Sequence, residues 1–207
     1  MKKLIRVDHP LLHHSLSFLR DANTATEVFQ HHAAIVSQIL ILEATRDLAV
    51  RERDVITPLA QTKGQSVQEN VVLVPVLRAG ISMLLSARAF LPWAPVGFIG
   101  LERDEHTAIA RAYYQKFPTR LENKRLIVLD PMLATGGSLI DTIVKLEAQG
   151  VHDTRAVCIV AAPEGIAAVQ ERFPHVSIYT AAIDSHLNEM KYIVPGLGDF
   201  GDRYFGT

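Results

Sequence analysis

The chain has 207 residues, 48% of them hydrophobic and 21% charged, a composition that fits one large globular domain or two small ones. Its formal net charge of −1 argues against a global basic field for nucleic acid or an acidic membrane surface, so bound phosphate must be held by local design. One cysteine, Cys158, excludes an intrachain disulfide, and no apolar stretch is long enough for a membrane span. The N-terminus Met1-Lys2-Lys3-Leu4-Ile5-Arg6 is basic without an apolar h-region, so no signal peptide and a cytoplasmic location are expected.

In chain order, Thr24-x-x-Glu27 reads as a capping box. Apolar Val28, Ile35, Val36, Ile39 and Leu42 follow at helical spacing, predicting a helix over 24–47. His31 and His32 lie on it as solvated residues, and adjacent histidines point to different faces, which suits chelation poorly. Segment 48–70 is charged, short of core residues and rich in turn formers, predicting a projecting hairpin or arm. Val71 to Leu77 is a near-continuous apolar run, as in a strand buried on both faces. Thereafter strands are predicted at 96–101, 125–129, 156–161 and 176–183. Helices are predicted at 81–90, 138–149 and 164–172, with Gly150 closing the second. Cys158 falls within a strand as a small buried hydrophobe. The alternation implies a mostly parallel, twisted α/β sheet with helices on both faces, with ligands outside the carboxyl ends of the strands.

The segment Leu129-Asp130-Pro131-Met132-Leu133-Ala134-Thr135-Gly136-Gly137-Ser138 joins a buried strand end to a helix start. Gly136 and Gly137 let backbone approach an anion. The first free N–H groups of the helix and its dipole favour negative charge there, and Thr135 and Ser138 add hydroxyl donors. Asp130 cannot hold a phosphate but can accept hydrogen bonds from vicinal hydroxyls, so the pair suggests a ribose 5-phosphate. Thr-Gly-Gly-Ser alone fits a capped turn equally well, and no Lys follows the glycines, so this is not a P-loop. Gly196-Leu197-Gly198-Asp199-Phe200-Gly201 matches G-x-G-x-x-G literally. Only six residues follow it, too few for a dinucleotide-binding helix and acid.

The 130–138 segment resembles the PRPP-binding loop of the type I phosphoribosyltransferases, and Pro131 after the acid is similar to the uracil-specific branch. Val76-Leu77-Arg78-Ala79-Gly80, Gly100-Leu101-Glu102-Arg103-Asp104-Glu105, Ala161-Ala162-Pro163-Glu164-Gly165 and 192–202 agree with that branch, in the right order. The resemblance implies one phosphoribosyltransferase domain over 1–207, with a β-arm at 48–70 and a uracil-binding hood at 185–207. The implied reaction joins uracil to the phosphoribosyl group of PRPP, giving UMP and pyrophosphate.

By the same resemblance Arg78 and Arg103 bind the pyrophosphate, where guanidinium groups suit the charge that develops on leaving. Asp130, Pro131, Met132, Leu133, Ala134, Thr135, Gly136, Gly137 and Ser138 hold the ribose and 5-phosphate. Asp199 contacts PRPP through water or metal; read locally, it is also a turn acid that caps N–H groups. Ile193, Gly198, Asp199 and Phe200 form the uracil subsite, mostly through main-chain groups. Mg²⁺ is expected to arrive with PRPP, held chiefly by substrate oxygens. A homo-oligomer and, in some members, a GTP effector are also implied. Phe200 stands where small residues are common in the family, which implies a base pocket that is tighter or differently shaped. His106 replaces a frequent Glu in the 102–113 loop, which is expected to close over PRPP. Two alternatives stay open: a nucleotide-sensing regulator of the same fold, and a phosphoribosyltransferase for another base.

Overall fold

A computed structural model describes residues 3–68, 70–103, 110–151 and 153–207. The chain opens with strand β1 (Lys3–Arg6), then helices α1 (Pro10–Arg20) and α2 (Thr26–Ala44). Next come a hairpin of β2 (Val50–Ile56) and β3 (Gln61–Val67), strand β4 (Val71–Leu77) and helix α3 (Gly80–Phe90). Strands β5 (Phe98–Arg103), β6 (Ala110–Lys116), β7 (Arg125–Leu129) and β8 (Met132–Leu133) precede helix α4 (Gly137–Glu147). Strand β9 (Asp153–Ala161), helix α5 (Pro163–Arg172) and strand β10 (Ser177–Ile183) complete the sheet. The short β11 (His186–Leu187), β12 (Ile193–Val194) and helix α6 (Phe200–Phe205) form the C-terminal end.

The main sheet runs β1-β10-β9-β7-β4-β5-β6, with β8 paired to β9. Every pairing is parallel except β5 with β6. Period-2 side-chain alternation assigns the central strands to two cores. Val71, Leu73, Ile127, Leu129, Val157 and Ile159 face the layer of α1, α2, α3 and α6. Val72, Val74, Leu126, Val128, Ala156 and Cys158 face the layer of α4 and α5. Burial on both sides explains why these strands read as unbroken apolar runs.

The fold agrees with the α/β reading, and four details depart from it. Helix α1 went unpredicted, although Leu12, Leu16 and Leu19 are spaced for one buried face and Pro10 begins it. The capping box does not form: Ala25 occupies the N-cap without a side-chain bond, and the Thr24 hydroxyl donates instead to the Phe18 carbonyl at 2.6 Å. The buried stripe of α2 contains Phe29, Ala33, Val36, Leu40 and Ala44, whereas Val28 and Leu42 are exposed. This helix is apolar nearly all round, so spacing alone could not choose its face. His32 is buried rather than solvated, stacked on Phe18 at 4.1 Å between centroids.

The predicted arm contains the antiparallel hairpin of β2 and β3, which pairs with no other strand among the described residues and is mostly exposed. Its turn is held by Thr57, whose hydroxyl accepts from the Leu59 and Ala60 amides. Part of the expected 102–113 loop is strand: β5 continues to Arg103 and β6 begins at Ala110. Residues 104–109, including His106, lie outside the described residues.

Candidate active site

Strands β4 and β7 lie side by side, with Pro75 opposite Leu129, so both end at the same edge. The helix after β4 packs on one face of the sheet, and the helix after β7 packs on the other. Such a divergence opens a crevice at the carboxyl ends of the strands. Arg78 follows β4 and Asp130 follows β7, so both candidates reach this crevice. Arg103 ends β5, which runs parallel beside β4 with Gly100 opposite Leu77.

The 130–138 loop is shaped by its own backbone. Asp130 is half-buried, and its Oδ1 accepts weakly from the Met132 amide at 3.4 Å. Strand β8 then pairs Met132 with Val160 and Leu133 with Ala161, which anchors the loop to the sheet. Gly136 is the N-cap of α4 with φ of +85°, a left-handed conformation that favours glycine. A Cβ there would lie 3.0 Å from the Gly165 carbonyl oxygen, so α5 closes against the loop. The Thr135 hydroxyl accepts from the Gly137 amide at 3.4 Å. A small recess of about 20 Å³ is lined by Asp130 and residues 132–139. Pro131 is buried behind it.

A larger cavity of about 440 Å³ lies beside this recess and shares Met132 and Ala134 with it. Its other walls are Arg78, Ala79 and residues 190–193 and 198–201. The structure therefore brings together Arg78, the 132–134 turn, Ile193, Gly198, Asp199 and Phe200, from three regions distant in sequence. The volume falls within the usual range for small-molecule sites. Arg78 is exposed, and its side chain makes no hydrogen bond or ion pair among the described residues.

Two expectations at the C-terminal wall change in detail. The Phe200 side chain does not fill the cavity. It is 2% exposed, packed on Phe29 with centroids 5.2 Å apart and stacked on Tyr204 at 5.7 Å. The first turn of α6 points this ring into the core, so of the two expectations, a tighter or a differently shaped pocket, the ring does not supply the first. Asp199 is the N-cap of α6, with Oδ1 accepting from the Asp202 amide at 2.9 Å. It performs the local capping role while also lining the cavity.

The residues that hold this wall were missed in the sequence. Asp184 directly follows β10, and its carboxylate receives Arg20 Nη1 at 3.0 Å and Nη2 at 2.6 Å. Arg203 donates to the carbonyls of Leu19, Leu197 and Asp21. Gln30 donates to the Tyr204 carbonyl at 2.7 Å. An acid immediately after a buried strand was the signal that singled out Asp130, and the same signal marks Asp184. Cys158 is buried, and burial pushes its thiol up to about 12, which removes it as a nucleophile. No helix among the described residues is long and apolar enough to cross a membrane.

Comparison with known proteins agrees with this geometry. The family model described as uracil phosphoribosyltransferase matches residues 6–207. A uracil phosphoribosyltransferase of Campylobacter curvus is 45% identical over 207 residues, covering 100% of both chains. The solved AQ2163 protein of Aquifex aeolicus is 35% identical with a TM-score of 0.93, covering 99% of this chain and 98% of that one. A hypoxanthine-guanine phosphoribosyltransferase of Bacillus anthracis shares the fold, with a TM-score of 0.51, 12% identity and coverage of 77% and 80%. The match along nearly the whole length, together with the loops gathered at the β4/β7 crevice, places this chain in the uracil phosphoribosyltransferase family.

Proposed function

We propose that the chain transfers the 5-phosphoribosyl group of PRPP to uracil, giving UMP and pyrophosphate. The observation that carries this reading is the shared wall of the two cavities. Met132 and Ala134 border both the glycine-rich recess and the larger space that contains Arg78 and Asp199. A phosphoribosyl group with its phosphate in the recess would thus present C1 toward the larger cavity.

In this reading the N–H groups at the start of α4 and the Thr135 and Ser138 hydroxyls bind the 5-phosphate. Asp130 accepts from the ribose hydroxyls. Arg78 and Arg103 bind the pyrophosphate and stabilise the charge that grows as its bond to C1 breaks. Uracil lies against Ile193 and the 198–200 backbone, with N1 facing C1. Backbone donors and acceptors have fixed polarity, so cytosine, with its exchanged pattern, would leave groups unpaired. The sequestered Phe200 ring supports a base subsite framed by main chain rather than by a bulky aromatic.

Mg²⁺ would be carried by PRPP, neutralising the pyrophosphate when bound. Asp199 is the only acidic residue in the wall of the larger cavity among those described. An ion held mainly by substrate oxygens and water, with Asp199 near it, suits this arrangement. The reading extends to an assembly of at least two copies with GTP as an effector. The exposed β2–β3 hairpin, with Ile56 and Leu59 at 80% and 97% exposure, supports a contact between copies.

UMP formation from uracil, PRPP and Mg²⁺ tests the proposal, with cytosine, hypoxanthine and xanthine as competing acceptors. Turnover with uracil alone is expected. Protein that binds PRPP but turns over no base would overturn the reading in favour of a sensor.

A further inference from the structure

Gly196 has both of its backbone polar groups bound by one ion pair. Its amide donates to Asp184 Oδ2 at 2.9 Å, and its carbonyl accepts from Arg20 Nη1 at 3.0 Å. The same Arg20 fork grips the Asp184 carboxylate. The Asp184 side chain is 4% exposed, so its charge needs these three donors. Asp184 is itself fixed to the sheet, since its amide donates to the Ala161 carbonyl at the end of β9. Gly196 has φ of +64°, and a Cβ there would lie 2.1 Å from the Ile193 carbonyl oxygen. The turn is therefore folded tightly onto the residue that borders the base side of the cavity.

We infer that Arg20 and Asp184 are positioning residues for the acceptor base, locking Gly196 so that the Ile193 and Gly198 main chain keeps its register toward uracil. Neither side chain lines the cavity, so both act through Gly196. The lock ties the base-side turn to α1 and β9. It makes no hydrogen bond to Arg78 or to the 130–138 loop among the described residues. Its effect should accordingly fall on the base rather than on PRPP. An oriented hydrogen-bonding edge also discriminates between bases, because a loosened edge can adapt to the wrong pattern. This inference rests on the transferase reading proposed above.

The test is steady-state kinetics of Arg20→Gln, Arg20→Lys and Asp184→Asn beside the wild type, with folding followed by circular dichroism. For Arg20→Gln, KM for uracil should rise about 10- to 100-fold, the range for displacement of a reacting partner by a remote change. KM for PRPP should stay within about 2-fold, and preference for uracil over cytosine should fall. Arg20→Lys keeps the charge without the fork and should fall between. If removing Arg20 leaves Asp184 too poorly compensated to fold, the double variant Arg20→Met with Asp184→Asn removes the buried charge. It retains an acceptor for the Gly196 amide but loses the Arg20 guanidinium that binds its carbonyl, and should still raise KM for uracil selectively. Folded variants with unchanged uracil kinetics would overturn the inference. So would parallel losses for uracil and PRPP, which indicate general loosening. A wild type that makes no UMP would remove the parent reading and this inference together, whereas an active wild type with unaffected variants would remove the inference alone.

Discussion

The guanidinium of Arg203 lies over the Phe29 ring, its central carbon 4.4 Å from the ring centroid. From this position it donates to Leu197 at 2.7 Å and Asp21 at 2.5 Å, and also to Leu19. One planar cation thus joins α6, the end of α1 and the turn beside the cavity. Burial pulls its pKa below the ordinary arginine value, and nearby Asp21 opposes that pull. Lysine has neither the planar fork nor five donors. Arg203→Lys should therefore destabilise the fold by about 1–3 kcal/mol, from lost stacking and unpaired carbonyls. Thermal unfolding checks this: a Tm lower by several degrees is expected, and an unchanged Tm would refute the argument.

At the far end of α2, Asp47 accepts from Arg155 Nη1 at 2.6 Å and Nη2 at 2.7 Å. Arg155 Nη1 also donates to the Ala44 carbonyl, fastening the last turn of α2 to β9. The Arg155 hydrogen bonds hold the Asp47 carboxyl at about 2, below its ordinary 3.8. Its contribution is full above pH 3.8 and lost as pH falls toward 2. Because the Asp47 side chain is 59% exposed, solvent screening reduces that contribution to about 1 kcal/mol. Asp47→Asn should be less stable than wild type at neutral pH, and the gap should close near pH 2. Denaturant unfolding across that range measures it. A gap that stays constant with pH would assign the effect to packing.

A second acid-sensitive element lies between α1 and α2. His32 stacks on Phe18 and shares a 3.2 Å hydrogen bond with buried Ser15. Burial foremost, then His31 and His14, lowers its pKa from the ordinary 6.5. The unfolded chain takes up the proton first on acidification, so this contribution is complete above pH 6.5 and declines below it. His32→Phe keeps an aromatic face against Phe18 but cannot be protonated. Its stability should depend less on pH just below 6.5 than that of wild type, even if loss of the Ser15 partner lowers the absolute value. Parallel stability curves for the two proteins would contradict this.

The central strands were legible because burial on both faces leaves no ambiguity of side. Val71 to Leu77 is apolar throughout, and every residue up to Val76 is buried. The glycine-rich loop was legible because Asp130 breaks such a run abruptly. The faces of α2 were not, since its surplus apolar residues erase the stripe. The edge strands were not either: β1 has only four residues, Leu4 and Ile5 between two cations, and β6 carries Arg111, Gln115 and Lys116 among its seven. The lock at Gly196 joins residues 164 and 176 positions apart, a relation that local spacing cannot express. Phe200 shows the converse limit, because residue type predicted bulk at the site but only the start of α6 decides where the ring goes.

Arg78 separates activity from stability more cleanly than any other residue of the site. It is exposed and its side chain has no hydrogen-bonding partner among the described residues, so the fold does not depend on that side chain. Arg78→Ala should change stability by no more than about 0.5 kcal/mol, as surface substitutions usually do. If it stabilises the departing pyrophosphate, the same variant should lose about 100- to 1000-fold in kcat, the usual cost of removing one such donor. Asp199→Asn offers a matched comparison. Asparagine caps a helix as well as aspartate, so the bond from the Asp202 amide should survive while the negative charge is lost. Reduced turnover with unchanged Tm in both variants would place both groups at the reacting substrate. Unchanged turnover for Arg78→Ala would move the pyrophosphate away from this wall of the cavity.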